Sequence, residues 1–437
     1  MMPNKKSVDG PTQSVRLPHY SLWRSIIAGG TWCLGWAIGL STSLTPLAAQ
    51  EVLDRLDDSL FVQSADGTFR LDLSGRLDLE GYSLDGLPPG LIYPTDSFFF
   101  NPRFSLFLDA KLGPQLHAFV QSRADRGFDP GLKRSTGDVR LDEYLIRWTP
   151  REEGRFNLQA GKFATVVGRW VDRHLSWENP FITAPVPYEN VIAVSDKSAP
   201  PSIAGMLSRR DVADRKTLWG PLVWGPSYAS GLSTFGRIDQ FDYAFEVKNA
   251  SLSSRSSIWD ASNHGWSNPT VSGRLGIRPS ASWNFGTSLS QGAYMQPIAQ
   301  STLPRGTDVG DFLQSTVAVD ASFAWRHLQI WSEVFISQFE IPSVGDANTL
   351  AYFVEAKYAF SPQFFGALRW NQQYFGDVTN GKGQQEPWDR DLWKVDVAAG
   401  WRLTRHLQTK LQYSYSHQDS FLQQGENLVA AQITLKF

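Results

Sequence analysis

The chain has 437 residues and a single cysteine, Cys33, near its N-terminus. Beyond that point a disulfide framework and a thiolate metal site are excluded, so an exported fold has to be held by other forces. Long hydrophobic runs are as scarce. After Gln50 no stretch approaches 18 consecutive apolar residues, which rules out helical membrane spans. Charge of one sign is lacking too: 41 Lys and Arg stand against 43 Asp and Glu. There is no basic excess to hold nucleic acid and no acidic solvating tail. Catalytic signatures are missing: neither G-x-S-x-G nor H-E-x-x-H occurs, and His117, His174, His264, His327, His406 and His417 are scattered without metal-ligand spacing. "GDVTNGKG" from Gly376 approaches a phosphate-binding loop, but Gly383 stands where Ser or Thr is required. It reads as a turn-rich surface loop. Neither enzyme activity nor a cofactor is expected.

What is present pulls in two directions. Aromatics are plentiful, with 27 Phe, 17 Trp and 13 Tyr, yet the mean hydropathy of −0.28 is that of a water-soluble protein. The N-terminus supplies a compartment. Lys5, Lys6, Arg16 and Arg24 precede an uncharged run from Ser25 to Gln50, and "PLAAQ" offers Ala49 at a cleavage position. Residues 1–49 therefore read as an export signal peptide. An uncleaved anchor is the alternative, although Gly29, Gly30, Gly35, Gly39 and Pro46 dilute the run. Without that segment the chain keeps 37 basic and 42 acidic residues, a net charge of about −5.

Alternation of period two recurs along the rest of the chain. In "TFRLDLSGRLDLEGY", Phe69, Leu71, Leu73, Leu77 and Leu79 share one face, and Arg70, Asp72, Arg76, Asp78 and Glu80 the other. Sixteen such segments can be read, the last being the terminal "NLVAAQITLKF". Seven short turns alternate with eight longer links, at roughly 83–97, 126–138, 164–227, 252–269, 295–312, 340–348, 376–390 and 419–426. That pattern predicts an all-β, transmembrane, antiparallel up-and-down β-barrel of 16 strands over 67–437, preceded by a short periplasmic segment at 50–66. A closed barrel satisfies its backbone through neighbouring strands, so only alternate residues need suit lipid. The conflict between aromatics and hydropathy then disappears. Trp148, Trp283, Trp325, Trp370, Trp393 and Trp401 fall on or near strand ends, where an interfacial girdle to outer-membrane lipids is expected. A terminal aromatic, Phe437, resembles the signal read by the machinery that inserts such barrels.

At "DGTFRLDLSGRLDLEGY", "RLDEYLIRWTP", "LQAGKFATVVG" and "FDYAFEVKNAS" the chain resembles the phosphate-selective porin O/P family of Gram-negative outer-membrane proteins. The resemblance covers most of 66–437. It implies a homotrimeric porin whose long third loop folds inward as a constriction, passing small hydrophilic solutes or anions such as phosphate. The third link, 164–227, is by far the longest. Ala164, Val166 and Val167 depart from the family's pattern after Lys162 and Phe163, and the inward positions hold only a small basic excess, so phosphate is the less secure part. Candidate constriction residues are Lys162, Arg169, Arg173 and His174, with Asp172 beside them; the alternative is that these charges pin the loop to acidic wall residues. Arg70, Arg76, Arg103, Arg123, Arg147 and Arg369 are expected to line the pore. Arg209, Arg210, Arg215 and Lys216 form either an anion-attracting entrance or a solvated loop, and Trp219, Trp224 and Tyr228 either stack on sugars or pack the loop. A plugged barrel with an adhesion or binding role is the competing function, and an exported soluble β-sandwich the third.

Overall fold

The computed structural model describes residues 50–437 apart from 52, 56–58, 86–96, 126–137, 152, 212–217, 257–264 and 420–424. Residues 1–49, including Cys33, and the positions Arg215, Lys216 and His264 lie outside the described residues. At the N-terminal end, residues 50, 51 and 53–55 are helical, and Arg55 pairs with Glu51 at 2.5 Å.

Among the described residues, nineteen strands follow. The first eight are β1 (Phe61–Gln63), β2 (Phe69–Leu84), β3 (Phe98–Leu112), β4 (Leu116–Asp125), β5 (Asp138–Trp148), β6 (Asn157–Phe163), β7 (Ala229–Ile238) and β8 (Phe241–Lys248). Next come β9 (Thr270–Ile277), β10 (Trp283–Ala293), β11 (Leu313–Trp325), β12 (Leu328–Ile341), β13 (Gly345–Ala359) and β14 (Phe364–Phe375). The last are β15 (Asp377–Thr379), β16 (Gln385–Pro387), β17 (Leu392–Arg402), β18 (Leu407–Gln418) and β19 (Gly425–Lys436). β2 to β14 and β17 to β19 make a closed barrel of sixteen strands, each antiparallel to the next, and all sixteen alternating segments are among them. β19 closes on β2 from Leu428↔Leu84 to Lys436↔Arg76. "GDVTNGKG" forms most of a separate surface hairpin, β15 and β16.

Phe437 continues the ladder by exchanging both backbone hydrogen bonds with Gly75, and its ring stacks on Phe104 at 6.4 Å. A Cβ at Gly75 would stand inside that ring, so the glycine is the seat of the aromatic. Below this point β2 has lost its β19 neighbour, and β1 takes the place, pairing Phe61↔Asp72 to Gln63↔Arg70. Gly75→Val should expel the ring and lower stability by about 1–3 kcal/mol, read as an earlier midpoint in urea unfolding of the detergent-folded protein; an unchanged midpoint would show the ring has no structural weight.

Side chains follow the pleat. On β18, Gln408, Lys410, Gln412 and Ser414 are buried inside while Leu411 and Tyr413 are exposed outside. Trp148, Trp283, Trp325 and Trp401 sit at the short-turn rim, and Trp370 stacks on Trp393 at 5.5 Å toward the other rim. One link departs from expectation. The segment 340–348 is no long loop but a tight turn at 342–344, with Ser343 at φ 63°. The reason is packing: inward-facing Phe339, Ile341 and Ala347 are buried in an apolar cluster, and ladder pairing persists out to Ile341↔Gly345.

Candidate functional site

The described residues of the long third loop, 164–211 and 218–228, pack against inward-facing side chains of the barrel wall. They hold a 3-10 turn at Trp170–Arg173 and two short helices, α1 (Val186–Glu189) and α2 (Ile203–Leu207). Irregular backbone buried in this way has few partners of its own, and unpaired N–H and C=O groups are costly. Wall side chains supply them. Lys410 donates to the carbonyls of Ser176, Asn179 and Phe181 at 2.7, 2.9 and 3.1 Å. Glu333 accepts from the backbone of Arg169 and Trp170 and from the Tyr188 hydroxyl. Gln412 accepts from Ile182 and Thr183, Asn371 from Val186, and Arg369 donates to the carbonyls of Thr183 and Ala184.

The lumen is divided. On the β11–β13 side the loop packs Val167, Trp170, Tyr188, Ile192 and Val223 against Phe335, Phe339 and Phe353. Tyr188 meets Phe335 edge-on at 5.5 Å and Trp170 at 4.7 Å. Burying each such aromatic is worth roughly 1.5–3 kcal/mol, so the loop is held firmly on this side. On the β2–β4 side a cavity of about 110 Å³ runs between the loop and the wall, with Arg76, Arg103 and Arg123 on one face and Trp170, His174, Phe181 and Ile182 on the other. A second cavity of about 550 Å³ opens at the short-turn rim, bordered by Arg169, Arg237, Arg278 and Trp331.

The expected site residues divide between these surroundings. Arg76 pairs with Glu178 of the loop at 3.2 Å, Arg103 with Asp78 at 3.1 Å and Glu80 at 2.5 Å, and Arg123 with Asp142 at 2.9 Å. Asp142 is the extra residue of a register shift between β4 and β5. Arg70 pairs with Asp72 and lies over Phe61, and Arg147 donates to Gln159 over Phe235. Arg369 is wholly buried between Asp396 and the loop. Lys162 is buried on β6, its ammonium on the Leu141 carbonyl at 2.7 Å. Arg169 borders the larger cavity and pairs with the exposed Asp172 at 3.2 Å. Arg173 is a pin: its guanidinium meets Glu355 at 2.5 Å above the Trp331 ring. Arg209 donates to the Ala193 carbonyl, and Arg210 clamps the β15–β16 hairpin through Glu386. Trp219, Trp224 and Tyr228 are buried in the loop's packing. Alternation places Glu333 and Glu355 on the inward face, but it does not mark them, or Lys410 and Gln412, as the loop's anchors, because an inward polar residue has the same alternation whether it touches water or loop.

His174 donates from Nδ1 to the Val171 carbonyl at 2.6 Å, leaving Nε2 to accept from the Tyr228 hydroxyl at 2.8 Å. Burial lowers its pKa to about 4, outweighing the bond to Val171. A histidine held neutral in the folded state binds fewer protons than the unfolded chain between about pH 4 and 6.5, so its contribution is complete above 6.5 and fades as pH falls. The loop should therefore loosen on acidification through that window. Faster proteolysis at pH 5 than at pH 7.5, abolished in His174→Gln, is the expected result; a pH-independent rate in the wild type would refute it.

No protein-family model matches the chain, and no curated protein matches it in sequence. Solved structures do share its fold. The outer membrane channel DcaP of Acinetobacter baumannii aligns over 86% of this chain and 99% of its own, at TM-score 0.54 and 9% identity. An anion-selective porin from Comamonas acidovorans aligns over 84% and 100%, at TM-score 0.53 and 11% identity. The trimer form of OmpT, an outer membrane protein of Vibrio cholerae, aligns over 85% and 100%, at TM-score 0.50 and 10% identity. The chain thus has the sixteen-stranded barrel fold found in outer-membrane porins.

Proposed function

We propose that the chain is a channel of a Gram-negative outer membrane, exported by way of residues 1–49 and passing small hydrophilic solutes, anions such as phosphate preferred. The observation that carries this reading is the asymmetry of the lumen. One half is packed by an apolar core, while the other keeps a slot lined by Arg76, Arg103 and Arg123 together with Asp78 and Glu189. Of these, Arg76 pairs among the described residues only with the half-exposed Glu178, so its guanidinium can turn to an entering anion, and charges act strongly where water is thin. The fold shared with a porin named as anion-selective supports the same direction. A homotrimer in contact with outer-membrane lipids belongs to this reading, with the two aromatic rims at the lipid interfaces; a heat-sensitive high-mass band on a denaturing gel is the check. No cofactor and no catalytic step is assigned.

Folded protein in a planar bilayer under a KCl gradient should give stepwise conductance with a reversal potential on the anion side, reduced by phosphate. Silent bilayers from folded protein would favour the second reading, a plugged barrel with an adhesion or binding role. That alternative draws on the wall-to-loop hydrogen bonds, such as those to Glu355 from Arg173 and from Arg369 to Thr183 and Ala184, Glu355 and Arg369 being wall residues with no exposed surface.

A further inference from the structure

The slot beside β2–β4 has hydrogen-bonding capacity left over, and most of it is of one kind. Trp170 is 4% exposed and its indole Nε1 has no partner; Arg76 is 8% exposed and its Nε has none either. Both border the 110 Å³ cavity. The carboxylates there are already answered: Asp78 accepts from Arg103 and from Thr434 at 2.6 Å, and Glu189 from Lys394 at 2.5 Å and the Ala184 backbone at 3.1 Å. Among the buried side-chain atoms described there, the acceptor left without a partner is Gln432 Oε1, whose amide nitrogen is committed to Glu80 at 2.6 Å. It also borders the cavity. Buried donors without acceptors are unfavourable and point to something that supplies them. The rest of the loop's face here is apolar, through Phe181, Ile182 and Leu175.

We infer that the slot is a saturable binding site for a small organic anion whose charge sits at one end of an apolar, aromatic body bearing a hydroxyl. The anionic end accepts from Arg76 Nε and Trp170 Nε1, the body lies on Phe181 and Ile182, and the hydroxyl donates to Gln432. Inorganic phosphate would satisfy the donors but leave the apolar surface wet. The inference rests on the channel reading only for the route by which such a ligand arrives.

Titration calorimetry on folded, detergent-solubilised protein tests it without any need for conduction. The probes are 4-hydroxybenzoate, benzoate, acetate and inorganic phosphate. 4-Hydroxybenzoate should bind saturably and more tightly than benzoate, and both more tightly than acetate or phosphate. Trp170→Phe, which keeps the ring and removes only the donor, should weaken binding about tenfold or more, as should Arg76→Gln. Glu178, the partner lost in Arg76→Gln, is half-exposed and remains hydrated. Trp325→Phe at the outer rim is the control for a tryptophan away from the slot. Tighter binding of phosphate, equal affinity in Trp170→Phe, or a slot that takes up water alone would each overturn the inference. Binding without bilayer conductance would refute the channel and leave this site standing, whereas conductance without binding would do the reverse.

Discussion

Glu355→Leu is expected to lower the stability of the folded barrel by about 3–5 kcal/mol, the scale for removing one partner of a buried ion pair. Glu355 has no exposed surface on β13; its two oxygens face Arg173 at 2.5 Å and Arg369 at 3.7 Å. Without it, Arg369 keeps Asp396 at 2.8 Å, but Arg173 is left over the Trp331 ring with no carboxylate within ion-pair distance. The cost comes from that stranded charge more than from the pair's own attraction. Adding Arg173→Met to Glu355→Leu should therefore recover much of the loss, a coupling that a double-mutant cycle isolates. Urea unfolding followed by tryptophan fluorescence gives all four midpoints. If the single and double variants unfold together, Arg173 is a solvated charge and the pin does not exist.

Phe335→Ala should be as damaging, in a different place. The side chain is fully buried against Tyr188, and truncation of such a phenylalanine costs about 3–5 kcal/mol, part of it for the cavity left behind. The β12 backbone keeps its ladder bonds to β11 and β13, so the loss falls on loop docking. Hydrogen exchange should accelerate across 164–228 while the strands stay protected, and on the channel reading single-channel conductance should rise and grow noisier. Uniform acceleration over strands and loop would mean that the loop's core and the barrel form one cooperative unit.

Sequence periodicity sufficed for the sixteen strands because lipid and lumen impose opposite chemistry on successive residues, and segments such as "LQTKLQYSYSH" record it directly. It failed where the lumen itself is apolar. On β12, Phe335, Phe339 and Ile341 point inward while Val334 and Ile336 point outward, so both faces are hydrophobic. Alternation cannot separate them, and the turn at 342–344 was hidden within an expected loop for the same reason. The third loop was recognisable by length. Which of its charges are tied to the wall was not: Arg169 borders the larger cavity and Arg173 pairs with the buried Glu355, although the two are four residues apart with the same side chain. Their difference is made by Glu355 and Glu333, more than 160 positions away in the chain.

Residues 164–228 leave the ribosome before β11 to β14, the strands that complete their apolar core, exist. On the channel reading the barrel folds only after export, and until those strands close round the loop its tryptophans and tyrosines lack their core. The seam between β19 and β2 is the last contact available, and drawing it shut encloses a segment already longer than any strand. Once closed, the loop can be undone only by withdrawing it through a rim or by reopening the wall, so the lifetime of the interior is set by a barrier to escape as well as by the bonds that hold it.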